Sequence, residues 1–310
     1  MRALITLILC SLFLSGCDHS PEPLRIGSNR WLGYAPIYIA DENKWTATAN
    51  IHLVEYQTAN GVTRGMHNGL LDAAFLTLDE AVLLQSTGHD IEIILVANLS
   101  AGADVLYATP DIRNLHDLKG KRVAVEGSTL GTYFLSHILD KAHLAIEDIN
   151  IVNTPMYTHI DALREGIVDA TVNTSLNDTT LSALGVLPLF SSRDLRDDII
   201  NVLVINRDKA TPQLRARIRA LWYGSLDVWL EDRTRHDPIV RKRLGIDASS
   251  LSKSLDGIVM GDKALNTQYF NQGVLAQRIQ TMQAYMLNKS LQKAPINEAL
   301  LLPACEGDSC

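Results

Sequence analysis

The residues with most chemistry to offer lie in short segments that follow apolar runs. Glu126-Gly127-Ser128-Thr129-Leu130-Gly131-Thr132 joins an expected strand to an expected helix. Free amides at a helix N-terminus attract anions and carbonyl oxygens, and Ser128 and Thr129 add hydroxyl donors. The segment lacks the lysine of a nucleotide-phosphate loop, and the centre of Gly127 to Gly131 is Thr129, so it is not a hydrolase elbow either. An ordinary N-cap is the plain alternative, and both roles can hold at once. Asn29-Arg30-Trp31-Leu32-Gly33-Tyr34 offers two flat apolar faces with polar edges, Trp31 and Tyr34, suited to a ring or an aliphatic chain unless they pack under the loop. Arg30 could pair an anion or stay solvated. Thr77 follows another strand, and with Asp79 expected to cap the next helix its hydroxyl is left for a ligand. The Asn173 amide both donates and accepts, which fits a zwitterion or heterocycle. Met156, Tyr157 and His159 follow a further strand, with His159 read as a capping or surface residue.

Catalysis and metal binding find no comparable support. The nine histidines are scattered, with no HxxxH or HExxH pair. No carboxylate pair is singled out by spacing, and no cofactor motif is present.

Positioning such loops requires alternating strands and helices. Strands are expected at 24–28, 51–56, 73–76 and 91–97, with helices at 36–43, 62–68 and 79–86. The pattern restarts with an extended segment at 104–108. Strands follow at 122–125, 149–153, 170–172 and after Gly185, with helices at 130–142 and 159–165. A last apolar strand at 202–205 precedes a region expected to be helical to about residue 293, opened by Thr211-Pro212. This spacing implies βαβ units, mostly parallel sheets and two successive α/β halves.

Composition sets the class. Apolar residues make up 46% and charged residues 20%, with net charge −7, so a packed core is expected and no basic nucleic-acid footprint exists. Arg2, an apolar run at 3–14 too short to span a bilayer and the small residues after it make a secretory signal. Leu14-Ser15-Gly16-Cys17 resembles the bacterial lipobox. That resemblance implies removal of residues 1–16, acylation of Cys17 and a tether over 17–23. Several acyl chains, at about 0.8 kcal/mol per buried methylene, hold a protein firmly to a membrane. Asp18 resembles the signal for retention at the inner membrane. Cys10 leaves with the signal. Cys305 and Cys310 could close a small disulfide loop in an oxidising periplasm or remain two thiols of a frayed tail.

Five segments, in order, resemble the periplasmic substrate-binding proteins of the nitrate/sulfonate/taurine class, with which pyrimidine-precursor binders are grouped. They are Ile26-Gly27-Ser28-Asn29-Arg30-Trp31-Leu32-Gly33-Tyr34-Ala35-Pro36-Ile37-Tyr38-Ile39-Ala40, then Gly69-Leu70-Leu71-Asp72-Ala73-Ala74-Phe75, then Leu118-Lys119-Gly120-Lys121-Arg122-Val123-Ala124-Val125-Glu126-Gly127-Ser128. The last two are Gly166-Ile167-Val168-Asp169-Ala170 and Ile200-Asn201-Val202-Leu203-Val204-Ile205. The resemblance implies an α/β, type II periplasmic-binding-protein fold. Lobe 1 would hold residues 24–101 and 202–310, and lobe 2 residues 102–201, hinged near 98–106 and 198–202 and closing on a ligand. It further implies a monomer that passes a sulfonate-, nitrate- or pyrimidine-precursor-like solute to an inner-membrane ABC permease. A receptor reporting to a membrane kinase or cyclase, and more remotely an enzyme, share the fold. In each case the expected contacts are Trp31, Tyr34, Thr77, Ser128, Thr129 and Asn173.

Overall fold

A computed structural model describes residues 22–195 and 197–303. The lipobox with Cys17, and the Cys305 and Cys310 pair, lie outside them. The strands are β1 (Leu24–Asn29), β2 (Ile51–Tyr56), β3 (Ala73–Thr77), β4 (Ile91–Ser100), β5 (Asp104–Ala108), β6 (Arg122–Val125), β7 (Asn150–Asn153), β8 (Ala170–Thr174), β9 (Leu187–Ser191), β10 (Ile199–Asn206) and β11 (Ile258–Met260). Among the described residues they form two sheets, ordered β11-β4-β10-β3-β1-β2 and β7-β6-β8-β5-β9. Each sheet has a parallel trio, β1 to β3 and β6 to β8, continued by an antiparallel strand, β10 beside β3 and β5 beside β8.

The chain crosses between sheets twice, from β4 to β5 and from β9 to β10. The crossings lie side by side: the Ser100 and Ser192 hydroxyls are 2.8 Å apart, and the Gly102 amide donates to Ser192 Oγ at 2.7 Å.

The repeated G-x-x-D-A turns have the same local cause in both sheets. Gly69 and Gly166 take left-handed φ angles of 67° and 65°, which turn the chain into β3 and β8. The aspartate that follows then clasps the first residue or two of the neighbouring strand. Asp72 accepts the Arg25 amide at 2.9 Å and its guanidinium at 2.9 and 3.0 Å. Asp169 accepts the Arg122 amide at 2.8 Å and its guanidinium at 2.7 and 3.1 Å. Replacing either aspartate by alanine is expected to cost about 1–2 kcal/mol in urea unfolding. Arg25→Ala and Arg122→Ala should cost less, because the half-exposed guanidinium is screened while the backbone amide keeps its acceptor.

The helices packed on the sheets include α1 (Ala35–Glu42), α2 (Ala59–His67), α3 (Leu78–Ser86), α4 (Thr129–Ala142), α5 (His159–Arg164), α6 (Pro212–Glu231) and α7 (Val274–Asn288). One face of the first sheet buries Tyr34, Tyr38, Phe75, Trp222 and Trp229 under α1 and α6. The other buries Leu71, Leu76, Val202 and Met282 under α3 and α7. Covered on both sides, β3 and β4 are buried along their whole length. Glu92 within β4 is tolerated there because Arg207 and Arg215 pair with it at 3.0 and 2.6 Å.

The C-terminal region departs from the all-helical expectation. Residues Ile258–Met260 add an edge strand to β4. Gly261 permits it: its amide donates to the Ala97 carbonyl at 2.8 Å, and a Cβ there would lie 1.9 Å from the Val96 oxygen. Such a backbone approach leaves no periodic signal.

Candidate functional site

The parallel strands of both sheets end toward one cavity of about 80 Å³. Asn29 ends β1, Thr77 ends β3, Glu126 and Ser128 follow β6, and Thr174 ends β8; all line it. Two antiparallel strands bring their neighbours to the same end, because Asn201 of β10 pairs with Thr77 and Asp104 of β5 pairs with Thr174. The two halves touch beside the cavity, with Asn60 Nδ2 of α2 donating to the Gly127 carbonyl at 2.6 Å.

Four of the expected contacts line this cavity: Trp31, Tyr34, Thr77 and Ser128. Trp31 and Tyr34 present faces only, since their polar edges are used within the protein. Trp31 Nε1 donates to Asn98 Oδ1 at 3.2 Å, and Tyr34 Oη donates to Asn201 Oδ1 at 2.8 Å. Asn201 Nδ2 donates in turn to Asn98 Oδ1 at 3.0 Å, and Asn98 Nδ2 to the Gly33 carbonyl at 3.0 Å. This buried network fixes the first loop to β4 and β10. Ser128 both caps α4, accepting the Gly131 amide at 3.0 Å, and lines the cavity.

The other two lie elsewhere. Thr129 is the first residue of α4 and does not reach the lining. Asn173 is fully buried on the opposite face of β8, where its Oδ1 accepts from the Thr174 amide and from Asn177 at 2.8 and 2.7 Å. Strand alternation sends Val172 and Thr174 to the cavity instead.

Two helix readings also change. Helix α3 begins at Leu78, so Thr77 holds the N-cap position and Asp79 is a buried helical residue. His159 is neither surface nor cap: it is completely buried, with Nε2 2.9 Å from the Thr154 carbonyl and Nδ1 2.6 Å from Thr171 Oγ1. Nδ1 is also 3.1 Å from the Val172 carbonyl; burial pushes the ring's pKa down, partly offset by the Thr154 and Val172 carbonyls.

What sequence reasoning missed is the charge of the lining. Glu80, Asp104 and Glu126 all face the cavity. Glu80 Oε2 accepts the Thr77 amide at 3.0 Å, whereas its Oε1 is buried with no partner. Asp104 Oδ2 is likewise buried and unpartnered. Burial raises Glu80 to about 7 and Asp104 to about 6, and raises Glu126 as well. Behind them, burial and the neighbouring Glu80 carboxyl push Asp79 far up. Arg30 also lines the cavity, but its exposed guanidinium turns outward to Glu55 at 2.8 Å. The Thr77-to-Glu80 spacing is that of a capping box and could have turned Glu80 back toward the strand end. Asp104, opening the apolar run Asp104-Val105-Leu106-Tyr107-Ala108, was a second available signal.

Among the described residues no group of three or more histidines, cysteines, aspartates or glutamates could hold a metal ion, and no helix is long and apolar enough to cross a membrane.

The fold has known counterparts. The periplasmic aliphatic sulphonate binding protein SsuA from Escherichia coli superposes with TM-score 0.73 at 19% identity, over 91% of this chain and 98% of that one. The ligand-binding component of an ABC-type import system from Staphylococcus aureus gives 0.71 at 13%, over 91% and 96%. The desulfurization enzyme DSZB gives 0.64 at 16%, over 91% and 96%. At such identities the likeness is one of fold: two α/β lobes of the type II periplasmic-binding-protein kind. No curated protein sequence matches significantly. Residues 18–222, two thirds of the chain, match the NMT1-like family, and the protein belongs to that family.

Proposed function

We propose that the protein is a solute-binding protein that holds a small molecule between its lobes and delivers it to an inner-membrane ABC permease. The observation that carries this reading is the cavity at the carboxyl ends of both parallel trios, lined from both halves. The similar solved proteins named as periplasmic or import-system binders support it. Lobe 1 is taken as residues 24–101 plus 202–310 and lobe 2 as 102–201. Acylated Cys17 would hold the monomer at the periplasmic face of the inner membrane, where tethering raises its effective concentration near the permease. Binding rather than turnover is preferred because the sulphonate-binding and import-system proteins superpose better than the desulfurization enzyme.

Native mass spectrometry of protein purified from its own envelope tests this. A one-to-one mass increment of a small solute, lost on unfolding, is expected, and scattering of the stripped protein should show compaction when the solute is restored. A stripped protein that neither carries nor compacts around any envelope solute would refute the binding role.

A further inference from the structure

We propose that the solute this cleft takes is a compact organic cation bearing N–H donors, such as an alkylamine or an amidine, and not an oxyanion. The inference rests on the cleft being a solute site, and it adds the charge of the solute.

Three observations carry it. First, the carboxylates of Glu80, Asp104 and Glu126 converge on one cavity from three separate segments, α3, β5 and the loop after β6. Second, Glu80 and Asp104 are 3% and 5% exposed, and each leaves one oxygen, Oε1 and Oδ2, without a hydrogen-bond partner. A buried, unpartnered carboxylate oxygen is costly, and an N–H donor from a solute would satisfy it. Third, the described lining holds three acids and a single base. Arg30 alone among the described lining residues is basic, and it pairs with Glu55.

The helix ends do not reverse this. The N-termini of α3 and α4 point toward the cavity and would attract an anion. At α3, however, Glu80 already answers the dipole through Oε2, and at α4 Ser128 takes the Gly131 amide. Trp31, Leu130, Phe134 and Met156 add apolar surface to the wall, so the cation would carry a small hydrophobic body.

The test uses the mature chain, stripped of bound solute, and a thermal-shift and calorimetric panel. Butylamine and benzamidine are set against butanol and benzamide as neutral isosteres, and against propanesulfonate and nitrate. Binding of at least one cation, at least about tenfold tighter than its neutral isostere, is expected, together with a loss of about tenfold or more in Glu80→Gln and Asp104→Asn. Both variants keep shape, remove the charge and replace one carboxylate oxygen by an amide nitrogen, and their folding is checked by circular dichroism. The proposal is overturned if an anion binds more tightly than every cation, if the variants leave cation affinity unchanged, or if no cation in the panel binds. An anion bound one-to-one would leave the solute-binding role intact and remove only the charge assignment. Silence of the whole panel together with no solute carried from the envelope would remove both.

Discussion

Trp222→Ala is expected to lower stability by about 3–5 kcal/mol, a large part of what a domain possesses. The indole is 1% exposed, and its Nε1 donates to the Gly261 carbonyl at 2.9 Å. Removing it opens a cavity and orphans that carbonyl, which lies beside the tight contact of Gly261 with β4. The effect should extend to the solute cavity through rings in sequence. Trp222 lies 5.6 Å from Phe75, Phe75 lies 4.7 Å from Tyr34, and Tyr34 lines the cleft. Urea unfolding gives the stability loss. Trp222→Phe is the milder change, since it keeps one aromatic ring and gives up the rest of the indole with its N–H. It should cost about 1–3 kcal/mol and leave solute affinity nearly intact.

The second large effect is a dependence on pH set by the cavity acids. Glu80 moves from an ordinary 4.5 to about 7 and Asp104 from 3.8 to about 6, both through burial. The folded protein therefore retains protons that the unfolded chain has already released. Stability contributed by these groups is present below their unfolded values and is lost as pH rises through the folded ones. For each of the two the loss is on the order of 3 kcal/mol. Asp79, also raised by burial, acts in the same direction. His137 and His159, both lowered by burial, act oppositely below 6.5. The informative quantity is thus the difference between wild type and Glu80→Gln at each pH. The variant should match wild type near pH 4 and exceed it by about 3 kcal/mol near pH 8. Equal stability of the two at pH 8 would contradict the burial of an ionised Glu80. Acids that cost the empty protein stability are those a cationic solute would repay, a common relation between binding sites and stability.

Much of the fold was legible because its signals are local and repeated. The apolar runs of β1, β2 and β6 and the two G-x-x-D-A turns each carry their own cause, a short alternation or a left-handed glycine followed by a clasping aspartate. Thr211-Pro212 likewise marked the start of α6, where Thr211 accepts the Leu214 amide at 3.2 Å. The site was less legible, because its chemistry depends on pairings between distant strands. Asp104 becomes a cavity residue only because β5 runs antiparallel to β8, and Asn201 only because β10 runs antiparallel to β3. Asn173 and Thr174 differ by one residue, and alternation puts Thr174, not Asn173, on the face toward the cavity. Glu80 reads as an ordinary helical acid until the packing above α3 is known.

The neighbouring crossings at Ser100 and Ser192 carry a consequence for how such a protein can change over time. Everything from Asp104 to Leu195 leaves and re-enters the first sheet at one point, around an apolar core containing Phe134, Ile138 and Phe190. That stretch is, in topology, a guest inserted into a host. A segment whose ends meet can be exchanged whole with that of a relative without cutting the host's sheet. Recombination at these two joints would replace Glu126, Ser128 and Thr174 together while leaving Trp31, Tyr34 and Glu80 in place. About half of the cavity lining can thus be inherited as a cassette.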